Sequence, residues 1–279
     1  GNMLEIKNLT YKYGGSKQEV FTDFNLSLPE NCIYGLLGKN GTGKSTLLYL
    51  VSGLLRPSKG EVRVDGFIPK QRLPEMLREM FIVPEEFNLP AMTLAKYVKL
   101  NKVFYPNFSQ ELLEQCLSEF ELDKDLKLNA LSMGQKKKVF MSFALAANTK
   151  WLLMDEPTNG LDIPSKTQFR RVIAQCMSDD RTIIISTHQV HDVESLLDHV
   201  VILDRSNLLL NASMADITDK YAFSFRHPSE MTDDVLYAEP SLQGTAVVSR
   251  RQKDEEETTV NLELLFNAVT QGKLNMEEK

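Results

Sequence analysis

The chain has 279 residues, 42% of them hydrophobic and 25% charged, with a net charge of −6. This is the make-up of a soluble globular protein with room for one large domain and a small appendage, and its acidic balance favours no nucleic-acid partner. No apolar run reaches the ~18 residues of a membrane span, and the scattered cysteines Cys32, Cys116 and Cys176 form neither a metal pattern nor a disulfide framework, which fits a reducing compartment.

The start shows no signal-peptide pattern, and Gly1-Asn2 before Met3 reads as an expression remnant. Residues 4–30 alternate in short strand-like runs and predict a β-rich edge region. The apolar run Ile33–Leu37 predicts a strand, and Leu47, Leu48, Leu50 and Val51 mark the buried face of a following helix. Between them stands Gly38-Lys39-Asn40-Gly41-Thr42-Gly43-Lys44-Ser45-Thr46, the Gly-x-x-x-x-Gly-Lys-[Ser/Thr] phosphate loop in its strand-to-helix setting. Wrapping a triphosphate in backbone N–H groups requires that Cβ atoms be absent at close approach, which Gly38, Gly41 and Gly43 supply. The helix N-terminus favours negative charge, Lys44 adds a cation for the outer phosphates, and Ser45 offers a hydroxyl to Mg²⁺. Asn40 and Thr46, in the same loop, are expected to bind nucleotide with it.

Glu61–Val64 predicts another strand. Residues 86–136 are helix-rich, with Leu112, Leu113, Cys116, Leu117 and Phe120 at helical spacing. Leu131-Ser132-Met133-Gly134-Gln135 opens a helix that Ser132 can cap, and Lys136–Lys138 read as its solvated face. Trp151–Met154 has the apolar run of a buried parallel strand. Asp155 at its end can reach the Mg²⁺ shell, and Glu156, pointing elsewhere, can orient or deprotonate water beside a γ-phosphate. Arg181–Thr187 predicts a further strand, with His188 at its end able to hydrogen-bond a γ-phosphate, whereas His191 and His199 read as structural or exposed. Residues 137–210 alternate helix and strand, as a parallel α/β sheet requires. After Asn211, three strand-like runs (221–225, 235–238 and 245–249), a charged turn at 252–257 and an amphipathic helix through Leu262, Leu264, Leu265, Phe266 and Val269 predict a small α+β domain.

The phosphate loop, Leu131–Gln135, Trp151–Asp162 and Ile183–His188, taken in that order, resemble the ATP-binding subunit of ABC transporters over about residues 4–210. The resemblance implies an α/β phosphate-loop NTPase of ABC ATPase type. Residues 1–211 would form the ATPase domain, with a β-rich edge subdomain and a helical subdomain at about 86–136, and residues 212–279 the small C-terminal α+β domain. It implies ATP and Mg²⁺ as cofactors and a head-to-tail homodimer in which Ser132, Gly134 and Gln135 bind the γ-phosphate of the partner's ATP. Tyr13, with Tyr11 as the alternative on the same strand face, matches the aromatic that stacks on adenine. Glu85 stands where most members carry a metal-contacting Gln, so Ser45, Asp155 and Glu85 are the expected metal set, and Lys44, Glu156 and His188 the catalytic one. Met133 departs from the usual Gly, and Lys136–Lys138 from the usual Arg-Gln-Arg; the signature clamp is expected to survive because Ser132 and Gly134 are kept.

The family role would be a cytoplasmic motor at the inner face of the cell membrane, driving a separately encoded permease without nucleic acid. Val83-Pro84-Glu85-Glu86 and Asn261–Thr270 resemble subunits serving exporters of drugs, peptide antibiotics or sodium. The competing readings are a soluble ABC-type ATPase in repair, chromosome structure or translation, and a non-hydrolysing switch. The first is expected to bring a coiled-coil insertion, zinc cysteines or a second ATPase copy, and the second conflicts with the presence of Glu156 and His188.

Overall fold

The computed structural model describes residues 3–29 and 31–276; Gly1 and Asn2 of the expected expression remnant, and the last three residues of the tail, lie outside the described residues. β1 (Leu4–Tyr11) and β2 (Phe21–Leu28) form an antiparallel hairpin, with Leu4, Ile6, Phe24, Leu26 and Leu28 buried along it. The chain crosses into a second sheet as β3 (Ile33–Leu37), turns into α1 (Lys44–Ser52), and returns as β4 (Lys59–Val64) to the other edge of β1. Short α2 (Pro74–Leu77) and β5 (Met80–Val83) lead to α3 (Leu94–Asn101), α4 (Gln110–Glu119) and α5 (Met133–Ala146). Thr93, Ser109 and Ser132 each cap one of these three helices by accepting the N–H three residues on, a contribution of about 1 kcal/mol per cap.

β6 (Trp151–Asp155), α6 (Ile163–Cys176), β7 (Thr182–Thr187), β8 (His199–Asp204) and β9 (Asn207–Ser213) complete the main sheet, in the order β5-β6-β7-β3-β8-β9. Every neighbouring pair is parallel except β8 and β9. Successive side chains on a strand face opposite sides. Ile183 and Ile185 accordingly join the hydrophobic cluster of α4, α5 and α6, while Ile184 joins the cluster of α1 and the β1–β2–β4 sheet. Parallel strands also place all their C-terminal ends on one edge, where ligands bind in open α/β sheets. The chain leaves β3 at Gly38, β6 at Glu156 and β7 at His188 on that edge.

The tail consists of α7 (Met214–Lys220), an antiparallel sheet of β10 (Tyr221–Arg226), β11 (Val235–Ser241) and β12 (Gly244–Arg250) in the order β10-β12-β11, and α8 (Leu262–Thr270). The boundary expected after residue 211 falls inside β9, which pairs with β8 from Asn207 to Ser213. The physical reason is the sheet edge: β9 supplies the backbone partners that β8 would otherwise lack. The core also continues across that boundary. Leu262, Leu265 and Val269 of α8 belong to the same buried cluster as Ile33, Leu37, Val200 and Ile202, and the Leu262 N–H donates to Glu194 at 2.8 Å.

Candidate active site

The phosphate loop joins β3 to α1 with Gly41 at φ 81° and Gly43 at φ 98°, left-handed values that glycine adopts without strain. A Cβ at Gly38 would lie 2.5 Å from Thr42 Oγ1 and 2.8 Å from the Leu203 carbonyl, so this position admits only glycine. Gly43 caps α1 without a side chain, which leaves the N–H groups of the first turn to a ligand. Lys44, 5% exposed, folds back over the loop. Its Nζ donates to the carbonyls of Gly38 at 2.7 Å and Lys39 at 2.9 Å and stands 3.9 Å from Glu156 Oε1. Burial lowers the Lys44 pKa, while Glu156, Asp155 and Glu85 pull it back up. A loop that spends its lysine on its own carbonyls is poised to exchange them for phosphate oxygens, which make stronger charge-assisted bonds. Asn40 is exposed on the outer side of the loop, lining a cleft of about 470 Å³ together with Arg205 and Thr270.

Ser45 Oγ donates to Asp155 Oδ2 at 2.7 Å, and Ser186 Oγ donates to Asp155 Oδ1 at 2.6 Å. The second contact follows from register, since Asp155 pairs with Ser186 across β6 and β7. A hydroxyl and a carboxylate side by side next to a phosphate cradle are the donor set that Mg²⁺ takes, because this ion binds through one or two protein groups, substrate phosphates and retained water. Among the described residues no cluster of three or more His, Cys, Asp or Glu could hold a metal ion by itself. Glu85, the third expected metal group, instead accepts the Asn159 amide at 2.9 Å.

Glu156 follows β6 in the left-handed region at φ 47°. Its buried carboxylate accepts the backbone N–H of His188 at 3.0 Å and the Thr187 hydroxyl at 3.1 Å, and lies 2.9 Å from His188 Nδ1. An ionised carboxylate only accepts, so Nδ1 carries the proton. Nε2 is then an acceptor in the neutral ring, and it donates to a phosphate oxygen only when the ring is doubly protonated. The site expected at three distant points of the sequence therefore comes together as Lys44, Ser45, Asp155, Glu156 and His188.

Three further placements refine or correct the sequence reading. β1 ends at Tyr11, so Tyr13 does not share its strand face. Gly14-Gly15 turns the chain there, leaving Tyr11 7% exposed and Tyr13 46% exposed, the two rings edge to face at 5.2 Å. Tyr13 offers an open ring, and its hydroxyl pairs with Thr46 Oγ1 at 2.6 Å. Ser132 caps α5 as expected, but in a reciprocal box: its Oγ accepts Gln135 N–H at 3.2 Å while Gln135 Oε1 accepts Ser132 N–H at 3.0 Å. The hydrogen bonds of Ser132 and Gln135 are thus local to the cap, Gly134 sits within it, and Met133 is 70% exposed. The last difference is Lys137, which is buried rather than solvated. Its Nζ donates to the Asn159 carbonyl at 2.7 Å and the Glu156 carbonyl at 3.1 Å. Lys138 lies 5.9 Å from the Phe120 ring centroid.

Comparison with known proteins adds a separate line of support. A family profile described as ABC transporter matches residues 21–159. A methionine import ATP-binding protein of Protochlamydia amoebophila is 32% identical over 227 residues, which is 74% of this chain and 65% of that protein, so the chain spans just under two thirds of this relative. A manganese transport system ATP-binding protein of Synechocystis sp. is 32% identical over 217 residues, 74% of this chain and 82% of its own length. A solved structure of an ATP-binding subunit of an ABC transporter superposes with a TM-score of 0.68 at 26% identity, covering 77% of this chain and 91% of that one.

Proposed function

Because this chain belongs to the ATP-binding subunits of the ABC transporter family, we propose that it hydrolyses Mg-ATP to drive a separately encoded membrane permease. The observation that carries this reading is the convergence of Lys44, the Ser45–Asp155 pair and the Glu156–His188 pair at the ends of three adjacent parallel strands. The phosphate loop and the α1 N-terminus bind the phosphates, with Lys44 leaving the Gly38 and Lys39 carbonyls for them. Tyr13 stacks on the base, and Asn40 and Thr46 complete the loop's contacts. Ser45 and Asp155 would hold Mg²⁺, with Glu85 on the neighbouring Asn159, and the bound ion would supply neutralisation of phosphate charge. Glu156 takes a proton from a water as the water oxygen attacks the γ-phosphorus, the bond from phosphorus to the β-bridging oxygen breaks, and ADP leaves with that electron pair. His188 and Thr187 hold the carboxylate in place while it does so. Positioning and charge stabilisation supply most of the acceleration in this class of reaction.

The partner side of the proposal has its own supports. Ser132, Gly134 and Gln135 stand at the N-terminus of α5 beside exposed Met133, with the hydrogen bonds of Ser132 and Gln135 local to the cap, which suits a second protomer's nucleotide in a head-to-tail homodimer. An open groove of about 680 Å³ is rimmed by Leu54, Val103, Phe104 and Tyr105, with Val103 70% and Phe104 64% exposed. Exposed apolar residues around a groove suit a cytoplasmic loop of the permease. Among the described residues no helix is long and apolar enough to cross a membrane; bound to a separate permease, the chain would act peripherally at the cytoplasmic face. Export is favoured by Glu85 and the α8 segment, though import and metal-transport relatives share the family. The test is light scattering of Glu156→Gln with and without Mg-ATP, alongside phosphate release by the unaltered chain. A nucleotide-dependent dimer and steady hydrolysis are expected; a monomer at saturating Mg-ATP would sink the composite site.

A further inference from the structure

Lys137 is a buried cation that none of the chemistry above uses. It stands 8% exposed on α5, one turn beyond the Ser132 cap. Placing an ammonium there is costly unless its donors are matched. Burial lowers its pKa, and the charges of Glu85, Glu156 and Asp155 oppose that shift. What the ammonium touches is specific: the carbonyls of Glu156 and Asn159, the two ends of the turn that follows β6.

That turn is strained where it matters. Glu156 is a non-glycine residue at φ 47°, a conformation that costs about 1–3 kcal/mol and persists only where the surroundings over-determine it. Its N–H is fixed by the Ser186 carbonyl at 2.9 Å, and its carbonyl is held by the Asn159 N–H at 3.2 Å and by Lys137 Nζ at 3.1 Å. The Asn159 side chain in turn donates to Glu85 at 2.9 Å. One lysine therefore ties the helix that begins at Ser132 to the backbone of Glu156 and, through Asn159, to the loop carrying Glu85.

Resting on the hydrolytic reading of Glu156, we infer that Lys137 is a positioning residue: it fixes the Glu156–Asn159 turn through its carbonyls, so that the Glu156 carboxylate meets the attacking water only while α5 is seated. It touches neither nucleotide nor water and acts through Glu156. It also gives the signature helix a mechanical hold, through the Glu156 carbonyl, on the residue that carries the hydrolytic carboxylate.

The test is steady-state ATP hydrolysis by the full chain, comparing Lys137→Met, Lys137→Gln and Glu156→Gln. The methionine keeps length and removes both donors and charge. Glutamine keeps donors without charge. A misplaced reacting group costs up to about 10²-fold, so Lys137→Met is expected to lose at least about tenfold in kcat with KM for ATP within about threefold, the pattern of a group felt only in the transition state. Lys137→Gln is expected to regain at least about a third of the original kcat by restoring a donor to the carbonyls. The inference is overturned if Lys137→Met keeps kcat within about twofold, or if both variants lose kcat equally or raise KM in parallel, which is what a general loss of structure produces. Should Lys137→Met fail to fold, Lys137→Gln decides alone: at least about a third of the original kcat at unchanged KM upholds the inference, and a larger loss overturns it. Glu156→Gln separates the two levels. If it too hydrolyses at the original rate, the hydrolytic reading has failed; if it is inactive while Lys137→Met is fully active, only the positioning role has.

Discussion

Replacing Glu156 by Gln exchanges one carboxylate oxygen for an amide and removes one charge from the most connected point of the site. The fold should tolerate it. The Gln oxygen can still accept the His188 N–H and Nδ1–H, and the amide can donate to Thr187 Oγ1 if that hydroxyl turns, so the stability change should stay near 1 kcal/mol. The chemistry should not tolerate it. A positioned general base contributes about 10²–10⁴-fold, or about 3–5 kcal/mol of barrier at ~1.4 kcal/mol per tenfold. Affinity should move the other way. At 3.9 Å and an effective dielectric near 20, the Lys44–Glu156 attraction is about 4 kcal/mol before desolvation offsets it. That attraction competes with phosphate for the same ammonium, so its loss leaves ATP affinity equal or tighter. Calorimetric ATP titration and a phosphate-release assay on the same sample read both quantities. A variant that binds ATP normally and turns over within tenfold of the original would refute the assignment of Glu156 as base.

Lys44→Ala should weaken ATP binding by about 10–100-fold, because a charge-assisted contact worth about 1.5–3 kcal/mol disappears; unchanged affinity by titration would contradict the phosphate-loop role. Glu85→Gln keeps an acceptor for Asn159 Nδ2, so its melting temperature should not move, while metal-free nucleotide binding becomes equal or tighter and the Mg²⁺ dependence of hydrolysis changes; superimposable Mg²⁺ titrations would remove Glu85 from the metal site. Arg181, 1% exposed, donates to the carbonyls of Leu145, Thr149 and Cys176 and to the Asn148 side chain. Arg181→Met leaves those buried acceptors short of donors and should cost about 2–5 kcal/mol by denaturant or calorimetric unfolding, and a melting temperature unchanged within error would show the network to be dispensable.

What could be read from the chain was what local spacing determines. A glycine-rich loop between an apolar run and a helical stripe fixes strand, cradle and helix together, and β3, Gly38–Thr46 and α1 lie where that pattern put them. Contacts set by tertiary packing were harder to see, although some left traces. Extending the buried positions Met141 and Ala144 of α5 back by one and two turns lands on Lys137, so the helical stripe that covers the core already contained the lysine. Ser186 and Thr187 follow three isoleucines at the end of β7 beside Asp155 and Glu156, a mark of side chains that need polar partners. Tyr13 escapes the period-two pattern because β1 ends at Tyr11 and Gly14-Gly15 turns the chain just beyond. The tail boundary had no local mark at all. The nucleotide motifs stop before residue 211, but backbone pairing and packing do not.

The shared core of the tail restricts how such a protein can diversify. A sheet-and-helix appendage with its own interior could be exchanged between relatives at a linker, like a cassette. Here a graft would cut β9, strip a backbone partner from β8, and need shapes matching Leu262, Leu265 and Val269 as well as an N–H for Glu194. Novelty in the tail is therefore inherited together with residues 190–213 of the main-sheet region, and a change on either side obliges a compensating change on the other.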